Sequence, residues 1–398
     1  MASFIHRVYR IIKRFAGKTR IWIAGVGKPV EKKVLFESFR GKTYADNPRA
    51  VSETLHRIAP DIKIIWALNG KDEYGIVPEY VKAVVRDSTA YNRAFSTAAA
   101  YVTNETLESY FVKRTGKQLF VQVWHGDRAF KKILYDVWTD RKRPEPILDE
   151  TMTDFCVAGS RYGEMQFRSA FHYKGEVLLE GTPRDDCLCN IDSNRILKVK
   201  NRLGLSQQKR YLLYAPTMRK ANQSTKTEQP IQEIDLRKTL KVCETAYGGE
   251  WACLMRAHPI IKGLAGIEAD GKEIIDVTGY PDMTDLLLIS DCLITDYSSC
   301  AGDFALLRRP LFLFQDDIEQ YQEKDRDFYF NMDDSPYLAA HSQEELELII
   351  KRTGPEEAAT NCDKILAFYE TKETGHAAEA VAKRIVDFCS SISCARMK

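Results

Sequence analysis

Short apolar runs recur along the chain, each bounded by polar residues and most followed by a stretch with helical spacing. Residues 33–39, 63–67, 83–85, 99–103 and 119–124 form a first set of predicted strands. Several are unbroken rather than alternating, as expected of strands buried on both faces of a parallel sheet. Residues 47–58 and 88–98 carry the intervening helical periodicity. A second set follows at 155–158, 177–179, 211–214, 251–256, 274–276, 292–294 and 311–314, and the charged stretch 191–208 reads as a helical linker. The pattern predicts an α/β protein of two Rossmann-like parallel-sheet domains facing a central cleft. The expected divisions are an N-terminal helix over 1–20, a first domain over 21–190, the linker over 191–208, a second domain over 209–370 and a C-terminal helix over 371–398.

The first twenty residues follow a different pattern. Phe4, Ile5, Val8, Ile11, Ile12 and Phe15 fall on one helical face. Arg7, Arg10, Lys13, Arg14, Lys18 and Arg20 fill the remainder, and no acidic residue precedes Glu31. A basic helix with such a face can lie in an anionic membrane surface. It can also be an ordinary first helix packed on its domain, or a presequence. The segregation of charge favours the membrane surface.

Composition narrows the function classes. The 58 Lys and Arg residues nearly cancel 56 Asp and Glu, for a net charge of +2, so a general coat for nucleic acid is excluded and anion binding must be local. No apolar run approaches the roughly 18 residues needed to span a bilayer. Cys187 and Cys189 form a CxC, but no CxxC or zinc-like spacing occurs, which suits reduced thiols in a cytoplasmic protein. The chain has no P-loop, GxGxxG, GxSxG or HExxH, so P-loop hydrolysis, simple dehydrogenase and serine-hydrolase chemistry lose support. No cofactor is implied, and dependence on a divalent cation is left open.

The polar residues at strand ends are the candidates for chemistry. The run 119–124 ends in His125-Gly126, followed by Asp127, Arg128, Lys131 and Lys132. A histidine there can take a proton from a hydroxyl near neutral pH, or simply satisfy backbone groups in a turn. The run 251–256 ends in Arg256-Ala257-His258-Pro259, and 211–214 leads into Thr217 and Arg219. Thr295-Asp296-Tyr297-Ser298-Ser299 closes 292–294 and precedes a predicted helix through 304–307, whose first N–H groups would suit an anion.

These segments resemble the CDP-glycerol:poly(glycerophosphate) glycerophosphotransferases of teichoic acid and capsule synthesis. The matching pieces are Val123-Trp124-His125-Gly126 with Lys131-Lys132, Gly181-Thr182-Pro183-Arg184-Asp185-Asp186, Tyr214 to Arg219, Arg256 to Pro259, and Asp285 to Ser299. The match continues through Asp303-Phe304-Ala305 and Arg309-Pro310 to Arg326-Asp327-Phe328-Tyr329-Phe330. The resemblance implies a GT-B-like fold, with CDP-glycerol held mainly by the C-terminal domain and CMP released to a hydroxyl acceptor. It implies His125 as general base and His258 near the pyrophosphate. Thr217, Arg219, Arg256, Thr295, Asp296, Ser298, Ser299 and Arg326 would bind the donor. Asp127, Arg128, Lys131, Lys132 and Arg184 would serve the acceptor or the junction of the domains, Arg184 being either catalytic or structural. Gly302 departs from the family, which usually has a bulky residue there.

The implied partners are CDP-glycerol, a polyprenyl-linked saccharide acceptor and an anionic membrane surface, met by Phe4, Ile5, Arg7, Arg10, Lys13 and Arg14. The implied place is cytoplasmic, peripheral on the inner face of a bacterial membrane. The chain length favours a primase or short-chain role. The alternatives are a CDP-ribitol donor, a sugar-nucleotide glycosyltransferase of the same architecture, and a non-catalytic scaffold, against which the presence of both histidines argues.

Overall fold

The structure is a computed structural model that describes residues 2–137, 147–217, 234–256, 269–324 and 327–394. The chain divides into two compact units, one of residues 1–127, 138–186 and 372–398, the other of 128–137 and 187–371.

Among the described residues, the first unit is built on seven parallel strands: β1 (Glu31–Glu37), β2 (Lys63–Leu68), β3 (Val81–Val85), β4 (Ala98–Thr103), β5 (Leu119–Gln122), β6 (Phe155–Val157) and β7 (Glu176–Leu178), in the order 3-2-1-4-5-6-7. The second has six: β8 (Arg210–Ala215), β9 (Trp251–Met255), β10 (Ile274–Asp276), β11 (Cys292–Thr295), β12 (Leu311–Phe314) and β13 (Ala339–Ala340), in the order 10-9-8-11-12-13. Counted from its own first strand, each sheet follows the doubly wound order 3-2-1-4-5-6. Strand order therefore reverses between β1 and β4 and between β8 and β11, the places where such sheets bind ligands beyond their carboxyl ends. The unbroken apolar runs are explained by burial on both faces: every residue of β4, β9, β11 and β12 is buried.

The boundaries differ from the sequence expectation in four places, one being that residues 128–137, expected in the first domain, belong to the second unit. The helix Ala377–Cys394 belongs to the first unit, because Val381, Ala382, Ile385 and Cys389 enter the core with Val34, Phe36 and Trp66. Asp186 fixes its start, accepting from the N–H groups of Ala377 at 2.9 Å and Ala378 at 2.8 Å. The expected linker is part of the second unit: its helix Ser193–Arg202 is capped by Asp192, and Arg195 grips Asp285 Oδ1 through Nε at 2.8 Å and Nη2 at 2.6 Å. The N-terminal helix α1 (Ala2–Gly25) runs beyond residue 20 and packs on α3 (Thr89–Thr97), with α2 (Asp46–Ile58) between them in sequence. Ile21 is buried, and Gly17 lies so close to Tyr110 that a Cβ would stand 2.7 Å from its ring.

The side chains of Phe4, Ile5, Arg7 and Arg10 lie outside the described residues. Farther along α1, Tyr9, Ile11, Ile12, Phe15, Trp22 and Ile23 are exposed. Among the described residues no helix is long and apolar enough to cross a membrane.

Candidate functional site

In the first unit the chain leaves β5 through Val123 and Trp124 and presents His125. Its Nδ1 lies 2.7 Å from the main-chain oxygen of Asn104, at the end of β4. A carbonyl oxygen only accepts, so Nδ1 is the donor, and in the neutral ring Nε2 is the nitrogen that can take a proton. The Trp124 ring lies 4.1 Å from the imidazole, and the Phe39 ring 5.4 Å away. His125 thus stands beside the β1/β4 reversal.

The backbone around it is strained. Phe39 (φ 46°), Arg40 (φ 56°), Asp46 (φ 64°) and Trp124 (φ 32°) all occupy left-handed conformations without being glycine, at a cost of order 1–3 kcal/mol each. Hydrogen bonds hold them there. Asn47 Nδ2 donates to Val123 O at 2.7 Å and Trp124 O at 2.6 Å. The Trp124 N–H donates to Gln122 Oε1 at 2.9 Å, and Gln122 Nε2 donates to Asp149 Oδ1 at 2.6 Å. Burial pushes the Asp149 carboxyl up to about 6.

Arg184 joins this network. Its guanidinium lies 3.2 Å from Asp46 Oδ2 and its N–H donates to Asn47 Oδ1 at 2.8 Å, so within the first unit it braces the loop before α2. Asp127 is also turned inward, accepting from the Gly159 N–H at 2.9 Å and the Ser160 hydroxyl at 2.7 Å.

Arg128 is fully buried in the second unit and donates through Nη2 to Asp303 Oδ1 at 2.8 Å. Its charge is engaged there, where the sequence had it facing an acceptor or a domain junction. Lys131 bridges Phe328, and Lys132 pairs with Asp327 at 2.5 Å. Gly302 is explained by Arg128: a Cβ at this position would lie 2.6 Å from the Arg128 Cβ.

The β8/β11 reversal of the second unit is closed by Thr217 and Asp296. Thr217 donates its N–H to the Asp296 carboxylate at 2.9 Å and its hydroxyl to Oδ1 at 2.6 Å, and the Tyr297 N–H adds a bond of 2.5 Å. Asp296 is completely buried. Thr295 donates to Ala215 O at 2.7 Å, so both residues tie strand ends together.

Ser299 precedes the helix Cys300–Phe304 without capping it by its side chain, while Ser298 Oγ accepts from the Cys300 N–H at 3.4 Å. That helix has only five residues and continues as a 3-10 turn over Ala305–Leu307. Arg256 donates to Tyr280 O at 3.0 Å, and burial lowers its guanidinium from the usual value. His258, Arg219 and Arg326 lie outside the described residues, as does the basic run 141–143. Among the described residues no group of three or more potential metal ligands occurs.

Sequence reasoning missed Phe39, Asp46, Asn47, Asn104, Gln122 and Asp149. The available signal was weak: Thr103-Asn104 ends an apolar run in polar residues, as Trp124-His125 does.

Residues 24–387 match the model of the CDP-glycerol:poly(glycerophosphate) glycerophosphotransferase family. A teichoic acid poly(glycerol phosphate) polymerase of Staphylococcus epidermidis is 34% identical over 318 residues, covering 77% of this chain and 43% of that protein. A protein of the same name from Bacillus spizizenii is 30% identical over 344 residues, covering 83% of this chain and 84% of its own length. The chain thus spans less than half of the staphylococcal relative and most of the Bacillus one. Among solved structures, the wall teichoic acid polymerase TagF soaked with CDPG superposes with a TM-score of 0.80 at 26% identity, over 97% of this chain and 98% of that one.

Proposed function

The chain belongs to the CDP-glycerol:poly(glycerophosphate) glycerophosphotransferase family, and on that premise we propose that it moves glycerol phosphate from CDP-glycerol to a hydroxyl of a lipid-linked, teichoic acid or capsule-type acceptor, releasing CMP. The observation that carries this reading is His125, held through Nδ1 with Nε2 left to accept a proton. The acceptor oxygen attacks the glycerol-bearing phosphorus, a new P–O bond forms, and His125 Nε2 takes the hydroxyl proton. The bond between that phosphorus and the bridging oxygen breaks, and CMP leaves with the electron pair. Charge gathering on the phosphate oxygens needs fixed dipoles and cations. His258 at the pyrophosphate, with Arg256, Arg219 and Arg326, supplies the cations in this reading. Thr217, ordered by Asp296, contributes with Ser298 and Ser299 to the donor site. Lys131 and Lys132 are assigned to the acceptor side.

The enzyme works on the inner face of the cell membrane in this reading. The exposed Ile11, Ile12 and Phe15 of α1 enter the lipid while Lys13 and Arg14 meet anionic headgroups.

The test is nucleotide release from CDP-glycerol, CDP-ribitol and a UDP-sugar in turn, with a lipid-linked disaccharide bearing or lacking a first glycerol phosphate. CMP from CDP-glycerol alone supports the assignment. Release from CDP-ribitol alone, or of UDP, overturns it, and the responding acceptor separates primase from polymerase.

A further inference from the structure

Asn104 is completely buried just past β4, and its polar groups are engaged on both sides. Its main-chain oxygen accepts from His125 Nδ1 at 2.7 Å. Its side-chain oxygen accepts from the Phe39 N–H at 2.8 Å. Its amide nitrogen donates to Asp46 Oδ1 at 3.0 Å and lies 3.4 Å from Ser38 Oγ. One residue therefore connects the imidazole to the loop after β1 and to the start of α2. Both attachment points, Phe39 and Asp46, are left-handed non-glycine residues. Backbone in that region persists only where its surroundings over-determine it. An apolar side chain would fill the same space but leave the part-buried Phe39 N–H without its acceptor.

We propose that Asn104 is the positioning residue of His125: its carbonyl holds the ring as the Nδ1–H tautomer, and its side chain, locked to Phe39 and Asp46, keeps that carbonyl in place. The inference rests on the reading of His125 as the base. Asp46 serves both sides of the arrangement, because its Oδ2 meets Arg184 Nη1 at 3.2 Å and its Oδ1 also accepts the Asn47 N–H at 2.7 Å. Asn47 then fixes the two carbonyls immediately before His125. Ring and backbone are thus aimed from separate directions. A change at Asn104 alters how often Nε2 faces the acceptor hydroxyl and leaves the donor-binding groups of the second unit untouched.

Asn104→Ala is expected to lower kcat for CMP release from CDP-glycerol by 10- to 100-fold, with KM for CDP-glycerol changed less than twofold. Asn104→Asp sets two carboxylates against each other and is expected to lose as much. In protein with 15N-labelled histidine rings, His125 gives one Nδ1–H pattern in the wild type and an average of two tautomers in Asn104→Ala.

A wild-type kcat and ring pattern in folded Asn104→Ala overturns the proposal. Should Asn104→Ala fail to fold, Asn104→Asp decides, and a wild-type kcat and ring pattern in that folded variant overturns the proposal. A wild-type rate in His125→Ala instead overturns the base assignment, while the ring pattern still reports on the hold of Asn104.

Discussion

Arg128 is fully buried and donates to Asp303 at 2.8 Å, with Gly302 against its side chain. A buried ion pair is costly to break from one side, since the remaining charge has no water to return to. Asp303→Asn is therefore expected to destabilise the second unit by about 3–5 kcal/mol. Gly302→Ala, which must push the Arg128 stem, is expected to cost about 1–3 kcal/mol. Urea unfolding followed by circular dichroism checks both, and wild-type midpoints would contradict the packing argument.

Thr217 ties the β8/β11 reversal together through Asp296, and the proposed function assigns it to the donor site. Thr217→Val keeps the N–H bond to Asp296 but removes the 2.6 Å hydroxyl bond to a buried carboxylate. Hydrogen bonds to charged groups contribute about 1.5–3 kcal/mol, so a stability loss of that order is expected. CDP-glycerol affinity, read by calorimetry, is expected to fall at least threefold. Unchanged affinity would remove Thr217 from the donor site.

Asp149 sets a pH dependence. Burial raises its carboxyl to about 6, so the folded protein binds this proton more tightly than the unfolded chain does. The stabilisation is full below the unfolded value near 4 and is lost as pH rises through about 6. The gap between about 4 and about 6 corresponds to about 3 kcal/mol. Relative to Asp149→Asn, the wild type is expected to lose stability by that order between pH 4 and 7. A constant difference between the two would show that Asp149 titrates as an ordinary surface carboxylate.

The proposed membrane docking can be separated from folding, because α1 is anchored by Ile21 and Gly17 while Ile12 and Phe15 are 61% and 72% exposed. Ile12→Asp with Phe15→Asp is expected to reduce binding to anionic vesicles at least tenfold and to leave CDP-glycerol binding intact. Vesicle sedimentation checks this, and undiminished binding would place the contact elsewhere.

The fold was largely legible because its central strands are buried on both faces, and each of β1 to β12 overlaps an apolar run read from the sequence. The two-alanine β13 carries no such pattern. The helix Ala377–Cys394 was legible as a helix, but its place in the first unit was not, because its contacts lie far back along the chain. His125 and Thr217 could be found as polar residues ending apolar runs. Asn104 and Asp46 could not, because their roles depend on which strand ends the sheet order brings together. Arg128 read as serving the acceptor or the junction of the domains, since its burial depends on Asp303, 175 residues away.

The most direct test of the account separates binding from chemistry in His125→Ala. CDP-glycerol binding is measured by calorimetry, and CMP release is followed with a lipid-linked disaccharide acceptor. The account predicts affinity within about twofold of wild type and a rate lower by at least 10²–10⁴-fold, the usual contribution of a general base. CMP release within tenfold of the wild-type rate, at unchanged affinity, would contradict it.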